Sequence, residues 1–197
     1  MQTEAINPMT RMWLRLRRSA LRLSGDNSGI AAIEFAMIVP LMLVLFFGTV
    51  EFSSGVAINR KVTLMARTLS DLTSQNISVT DAQLTNFFNA STGIMTPFPS
   101  APTKSTISEL YVDPATLAAR VQWSKGDAPR GAGTAVAIPA ALQIGGTYLI
   151  YSEVSYKYVP PIGYVMAKAG INMSDFTFTR PRQSTCVMYL VTVCTTT

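Results

Sequence analysis

An uncharged apolar run near the N-terminus restricts this chain more than any other feature of its sequence. Residues Phe35 to Val50 contain no charged side chain, and the run reaches back to Ile30 with Glu34 as its single carboxylate. As a helix, residues 30–50 would span about 31 Å, which matches the roughly 30 Å hydrocarbon core of a bilayer. The sequence therefore predicts a helix that crosses a membrane once.

The charges that flank this run predict its orientation. Five arginines precede it, whereas the other side opens with Glu51 and has no basic residue before Arg60. Basic flanks stay in the cytoplasm, so we expect residues 1–29 to form a basic cytoplasmic leader and the C-terminal part to be periplasmic. The arginines are Arg11, Arg15, Arg17, Arg18 and Arg22.

A cleaved secretory signal is an alternative for this segment, because it also joins a basic region to an apolar one. The apolar part of such a signal usually has about 7 to 15 residues and is followed by a small-x-small cleavage site. The run here is longer, contains Glu34 and has no clear site of that kind at the right place. We therefore expect the segment to be retained as an anchor.

Glu34 is the residue of the run that most needs a partner. A carboxylate in a spanning helix costs about 2.5 to 3.5 kcal/mol at mid-bilayer and less near the helix end. No lysine or arginine lies within the run, so Glu34 is either protonated or paired with a cation from outside it. The simplest alternative is a side chain that snorkels to the membrane edge of an ordinary anchor helix.

The residues around Glu34 resemble the prepilin peptidase site of type IV pilin-like proteins. The segment Gly29-Ile30-Ala31-Ala32-Ile33-Glu34-Phe35 is similar to that site, in which cleavage follows the glycine and the mature chain carries glutamate at its fifth position. Phe35 corresponds to the aromatic residue of the tight-adherence branch. The sequence as far as Phe52 further resembles TadE-like pseudopilins, the minor pilins of tight-adherence (Tad/Flp, type IVb-like) pilus systems, through Pro40, Leu41, Gly48, Val50, Glu51 and Phe52.

The resemblance implies a processing step and a role for Glu34. Cleavage after Gly29 would free the α-amino group of Ile30, whose reference pKa of about 7.7 to 8.0 makes it a cation at the membrane face. Glu34 of a neighbouring subunit would pair with it and set the axial register. The implied partners are the inner membrane, the prepilin peptidase, other pilin subunits and the pilus assembly machinery, and the implied role is pilus assembly for surface attachment. The alternative is an unrelated single-pass periplasmic protein with a scaffold or binding role.

Composition argues against an enzyme and against a nucleic-acid partner. The chain has no histidine, which removes the commonest general base and zinc ligand. Its net charge of +5 resides mostly in the leader, so the remainder offers no strongly basic surface. Gly131-Ala132-Gly133 lacks the third glycine and the following helix of a dinucleotide-binding loop. We expect no enzymatic activity, no cofactor and no metal.

Helical periodicity continues beyond the apolar run. Apolar residues at spacings of three and four predict a helix that extends to about Gln75 with a kink at Pro40; they are Ile58, Val62, Met65, Leu69 and Leu72. A second helix is expected from Asp81 to Asn89, with Thr80 as its N-cap. The expected organisation is a leader (1–29), a transmembrane helix (30–50), its extension (51–75) and an outer domain (76–197).

Strand patterns dominate the outer domain. They predict strands at Thr106–Val112, Ala118–Trp123, Thr147–Val159, Asp175–Thr179 and Thr185–Val193. In the third strand one face is expected to be apolar and the other wet. Lys125–Thr134 is expected to be a flexible surface loop. The predicted fold class is therefore α+β, with a long N-terminal helix followed by a small antiparallel sheet, as in pilins.

An aromatic and basic region near the C-terminus has two interpretations. It either contacts a partner or supplies ordinary core and turn residues, and the second interpretation is favoured. The region comprises Tyr156, Tyr158, Pro160, Pro161, Tyr164 and Arg180-Pro181-Arg182.

The two cysteines, Cys186 and Cys194, leave their pairing open. A straight strand would separate them by about 26 Å, whereas a disulfide needs Cα atoms roughly 5.5 Å apart. Either the chain folds back between them, or each cysteine stays free or pairs between chains. The oxidising location favours a bridge, and the strand pattern opposes it.

Overall fold

The computed structural model describes residues 9, 12, 13, 17, 28–160, 170–190 and 194. Most of the leader, together with Pro161, Tyr164 and Lys168, lies outside the described residues. The chain divides into two compact units, Met1–Phe47 and Gly48–Thr197.

Helix α1 runs from Ser28 to Ser74 and continues through Pro40. Its most apolar 18-residue window has a mean hydropathy of 2.5, and none of it is buried within the protein. Met37 and Phe46, for example, are 75% and 62% exposed. A core helix of a soluble protein would bury such side chains, so this part of α1 is suited to a lipid environment.

The second unit begins with the C-terminal half of α1. The predicted apolar stripe is confirmed, because Ile58, Val62, Met65 and Leu69 are all fully buried. They form one core with residues of the sheet, among them Ile150. The helix extension is therefore part of the outer domain's own core.

A five-stranded antiparallel sheet forms most of the second unit. Its strands are β2 (Thr103–Val112), β3 (Ala119–Gly126), β4 (Ala135–Val136), β5 (Tyr148–Tyr158) and β6 (Ile171–Thr179), in the order β4-β3-β2-β5-β6. The first four predicted strands are thus confirmed, with ends that differ by a few residues. A separate parallel pair joins β1 (Ser78–Val79) to β7 (Met188–Tyr189).

Helix α2 spans Asp81–Thr92, and Thr80 is its N-cap as predicted. The Thr80 hydroxyl accepts the backbone N–H of Gln83 while the Gln83 side chain accepts the backbone N–H of Thr80, which completes a capping box. Short 3₁₀ turns follow at Gly93–Met95 and Ala140–Leu142.

Both faces of the sheet bury apolar residues. Ile150, Val154, Tyr156 and Tyr158 of β5 share the core with α1. The alternate residues Leu149 and Tyr151 belong to a second buried cluster, which the chain after β3 covers through Ile138. The prediction of a wet second face was therefore wrong for this half of β5, since a connection packs on it. Lys157, near the strand's end, is exposed.

The predicted strand at Thr185–Val193 was also wrong. Of its described residues, 185–190, only Met188–Tyr189 forms a strand. Leu190 has a positive φ of 51°, a backbone region that ordinary residues rarely adopt. The chain bends there, and the structure places Cys186 and Cys194 in a disulfide with Cα atoms 5.8 Å apart.

The described part of the aromatic and basic region consists of core and turn residues. Tyr156, Tyr158 and Pro160 are buried. Arg182 forms an ion pair with Asp71 at 2.5 Å, and its backbone N–H donates to the carbonyl of Ser74 at 2.9 Å. These contacts fasten the segment after β6 to the end of α1.

Candidate processing and assembly site

Gly29, Ile30, Glu34 and Phe35 lie in the first two turns of α1. All four are exposed, with Ile30 at 54% and Phe35 at 70% of full accessibility. Residues four apart on a helix share a face, so Glu34 lies one turn after Ile30 on the same side. The segment is presented on the helix surface, where another protein can reach it.

Gly29 is not required by the local packing. A Cβ atom built at this position would meet no other atom within 4 Å. Glycine also lowers helix stability relative to alanine, by about 0.8 to 1.0 kcal/mol. A requirement for glycine at this position would therefore come from an enzyme that recognises the segment.

The Glu34 carboxylate has no cationic partner among the described residues. The ion pairs found there join Lys125 to Asp81, Arg130 to Glu153 and Arg182 to Asp71. All of them lie in the second unit.

The first residues of the second unit meet the end of β5. Glu51 is 2% exposed, and the Tyr158 hydroxyl donates to its carbonyl oxygen at 3.5 Å. Burial, and then the negative charge of Glu51, raise the pKa of Tyr158. A Cβ at Gly55 would lie 3.6 Å from Met173 and 3.8 Å from Tyr158, so α1 packs closely on β5 and β6 at this level.

A buried carboxylate that was not anticipated from the sequence holds the C-terminal segment to the sheet. Glu109 of β2 is 2% exposed and accepts hydrogen bonds from the Trp123 indole at 2.9 Å and from the Val187 backbone N–H at 2.5 Å. The same indole donates to the Val187 carbonyl at 2.8 Å. Val187 follows Cys186, so this network secures the disulfide-bonded segment. The signal in the sequence was a lone glutamate two residues after Ile107, on the side of the strand that faces the core.

We expect stability to fall as pH rises because of Glu109. Burial raises the pKa of Glu109 to about 7 from its ordinary 4.5, against the hydrogen bonds from Val187 and Trp123, which lower it. The folded state therefore holds this proton more tightly than the unfolded state. The protonated Glu109 side chain contributes its full stabilisation below about pH 4.5, and this stabilisation is lost as pH rises through about 7. The free energy of unfolding then falls by at most about 3 kcal/mol.

A Glu109→Gln variant should lose most of this pH dependence. The measurement is urea unfolding of the detergent-solubilised full chain at pH 5 and pH 8. Glu153→Gln is the matched control. Burial tends to raise the pKa of Glu153, but the hydrogen bonds from Arg130 and Tyr151 and the charge of Arg130 together lower it. This variant should therefore keep the wild-type difference. An equal change of unfolding free energy in wild type and Glu109→Gln would contradict the assignment.

The glycine-rich loop at Lys125–Thr134 is fastened to the outer face of the sheet. Gly126 has φ 135°, and a Cβ there would come within 2.2 Å of the Ser105 carbonyl oxygen, so only glycine fits. Arg130 forms a bidentate ion pair with Glu153, in which Nε and Nη2 of the arginine lie 2.8 and 2.5 Å from the two carboxylate oxygens. The loop therefore lies against β5, with side-chain contacts that the sequence pattern did not reveal.

The described residues contain no group of three or more histidine, cysteine, aspartate and glutamate side chains that could hold a metal ion. The polar clusters found in this part of the chain, around Glu109 and Arg130, join one structural segment to another. These hydrogen bonds hold the joined segments together.

Comparison with protein families identifies a similarity in the long helix. Residues 29–69 match the family model described as TadE-like protein. No curated protein and no solved structure matches the chain significantly. The matched residues begin at Gly29, include Glu34 and Phe35, and end within the buried stripe of α1, and this confirms the resemblance seen in the sequence. Residues 29–69, which form most of the long helix, are therefore similar to TadE-like proteins.

Proposed function

We propose that this protein is a minor pilin, or pseudopilin, that takes part in the assembly of a tight-adherence pilus for surface attachment. It is anchored in the bacterial inner membrane, with its N-terminus in the cytoplasm and its C-terminal domain in the periplasm. Its partners in this role are the prepilin peptidase, other pilin subunits and the assembly machinery.

One observation carries this proposal. The segment from Gly29 to Phe35, which resembles a processing site, lies at the start of a long helix. The first part of this helix is apolar, and none of its most apolar window is buried. The second part contributes to the core of a folded domain. The TadE-like match covers this helix from Gly29 onward. A membrane anchor needs only the apolar part, whereas a pilin-type subunit needs the cleavage site and the internal glutamate as well.

The parts of the chain take the following roles in the proposal. Residues 1–29 are a leader that is removed, residues 30–50 cross the membrane, and residues 51–75 extend the helix into the outer domain formed by residues 76–197. The alternative, an unrelated single-pass scaffold or binding protein, would share the anchor and the outer domain. It would not require cleavage after Gly29.

The mature N-terminus distinguishes the two. In its own host the protein should begin at Ile30 when the prepilin peptidase is present, and upstream of Gly29 when the peptidase gene is deleted. The measurement is mass spectrometry of the purified full chain. An N-terminus upstream of Gly29 in both strains would favour the alternative.

A Gly29→Val variant should remain uncleaved in the strain that has the peptidase, since the β-branched side chain occupies the recognition position without disturbing the helix. Gly93→Val is the matched control, because a Cβ at Gly93 also meets nothing within 4 Å. The control should be cleaved normally. Normal cleavage of Gly29→Val would remove Gly29 from the proposed processing site.

A further inference from the structure

The level of the membrane surface can be placed on the outer domain. The apolar run ends at Val50, and the next residue, Glu51, meets Tyr158 at the end of β5. The headgroup layer adds roughly 5 to 7 Å on each side of the hydrocarbon core, and one helical turn rises about 5.4 Å. If residues 30–50 span the membrane, Glu51 to Gly55 and the residues that touch them lie among the headgroups.

The direction of β5 fixes which end of the sheet lies at that level. Ser70 of α1 approaches the Ile150 carbonyl at 3.4 Å, while Glu51 meets Tyr158. From Glu51 to Ser70 the helix rises about 28 Å, and from Tyr158 back to Ile150 the strand covers about 26 Å. The two lengths agree, so β5 runs antiparallel to α1. Its C-terminal end is near the membrane and its N-terminal end is away from it.

The near end carries exposed apolar side chains. Val159, directly after β5, is 54% exposed, and Phe52 of α1 is 66% exposed. Lys157, next to Val159, is exposed as well. Apolar and amphipathic side chains together with lysine are typical of surfaces at the boundary between lipid and water.

A groove of about 290 Å³ lies beside Val159. Its walls are largely apolar and include Phe98, Pro99, Pro102 and Tyr158, with Lys157 also at the groove. The segment that carries Phe98 to Pro102 is held in place from both sides. The Lys61 ammonium donates to the carbonyls of Ile94 at 2.7 Å and Thr96 at 2.8 Å, and the Tyr156 hydroxyl donates to the Pro99 carbonyl at 3.1 Å.

We propose that this groove and the exposed Val159 form a phospholipid-binding surface that contacts the outer leaflet of the inner membrane. The apolar walls take the upper part of an acyl chain, and the Lys157 ammonium meets the lipid phosphate. The occupant is a lipid because Tyr158, which lines the groove, contacts Glu51 directly after the apolar run, at the level where headgroups begin. This inference rests on the membrane anchor of the proposed function.

The test places a tryptophan at the surface. Val159→Trp and the control Ile144→Trp are each made in the full chain and reconstituted in vesicles of phosphatidylethanolamine and phosphatidylglycerol. A fraction of the lipid is brominated in the upper acyl chain, which quenches tryptophan fluorescence on contact. Ile144 is also about half exposed, at 47%, but precedes β5 at the end away from the membrane. Both variants keep the background fluorescence of Trp13 and Trp123.

We expect the tryptophan at position 159 to be quenched at least about twofold more than the tryptophan at position 144, as for an aromatic side chain in the interfacial belt. Adding Lys157→Glu to Val159→Trp should reduce that quenching, because the new carboxylate repels anionic headgroups.

Equal quenching at 159 and 144, with both chains retained in the membrane after an alkaline wash, would overturn the lipid-binding surface and leave the anchor intact. A tryptophan at 159 that is insensitive to brominated lipid, but shielded as protein density in the membrane rises, would also overturn it, in favour of a neighbouring subunit. Loss of both chains in the alkaline wash would contradict the anchor and the proposed function with it.

Discussion

A Glu34→Ala variant is expected to insert into the membrane as well as the wild-type chain and yet to reduce the yield of assembled pili at least about tenfold. Removing a carboxylate from a spanning helix makes insertion easier. Removing one partner of an ion pair that forms in a low-dielectric environment costs about 3 to 5 kcal/mol, which is more than a factor of ten in an association equilibrium. The measurement compares subunit in washed membranes with pili sheared from the cell surface.

Two further variants separate charge from shape at this position. Glu34→Gln keeps the size of the side chain but cannot form an ion pair, so its pilus yield should fall like that of Glu34→Ala. Glu34→Asp keeps the charge on a shorter side chain and should restore part of the yield. If Glu34→Ala assembles pili normally, the carboxylate only snorkels at the membrane edge, and the proposed axial register is wrong.

Trp123→Ala is expected to lower the unfolding free energy of the outer domain by about 3 to 5 kcal/mol. The ring is 5% exposed within the α1-facing core and contacts Tyr189 with ring centroids 5.6 Å apart. Its indole N–H also donates hydrogen bonds to the Glu109 carboxylate and to the Val187 carbonyl. The substitution therefore opens a cavity and leaves buried polar groups without their donor. Urea unfolding of the detergent-solubilised full chain, followed by far-UV circular dichroism, gives the value.

Trp123→Phe divides this effect into its two parts. It keeps a six-membered aromatic ring but loses the N–H and the rest of the indole, so we expect a smaller loss of about 1 to 3 kcal/mol. Ile144→Ala, at a half-exposed position, should change stability by no more than about 0.5 kcal/mol. A Trp123→Ala chain as stable as the Ile144→Ala control would show that Trp123 does not hold the C-terminal segment to the sheet.

The elements that repeat a simple period were predictable from sequence. The apolar stripe of α1 repeats every three to four residues over several turns, and the N-cap at Thr80 is a local hydrogen-bond pattern. In β5, buried residues alternate with more exposed ones from Ser152 to Tyr158. Periods of this kind depend only on which face is buried, so the sequence contains them directly.

The parts that depend on contacts far apart in sequence were not predictable. The segment after Thr185 has strand composition, yet its bend at Leu190 and the short distance from Cys186 to Cys194 follow from where the rest of the chain anchors Val187. The second buried face of β5 depends on which connection packs over it. Glu109 is polar in an apolar strand, and its partners come from two other segments.

At the candidate site, the sequence motif identified residues that the fold alone would not have indicated. Among the described residues, Gly29, Glu34 and Phe35 make no contact that distinguishes them from other exposed residues of α1, and Gly29 has open space around it. In the proposed function these residues are recognised by other molecules. Such residues are found from their spacing in the sequence and not from their packing. The residues of the lipid-facing groove show the reverse, because only the packing of α1 against β5 brings them together.

The parallel pairing of β1 with β7 also determines when the outer domain can finish folding. Ser78 pairs with Met188, so a contact that closes the structure joins the first strand of the domain to nearly the last residues of the chain. Contacts that distant in sequence form slowly, because a long loop must close before they add any stability. Val187 takes its place in the core beside Trp123 only when this segment has docked. We therefore expect the C-terminal segment to complete the core of the outer domain last.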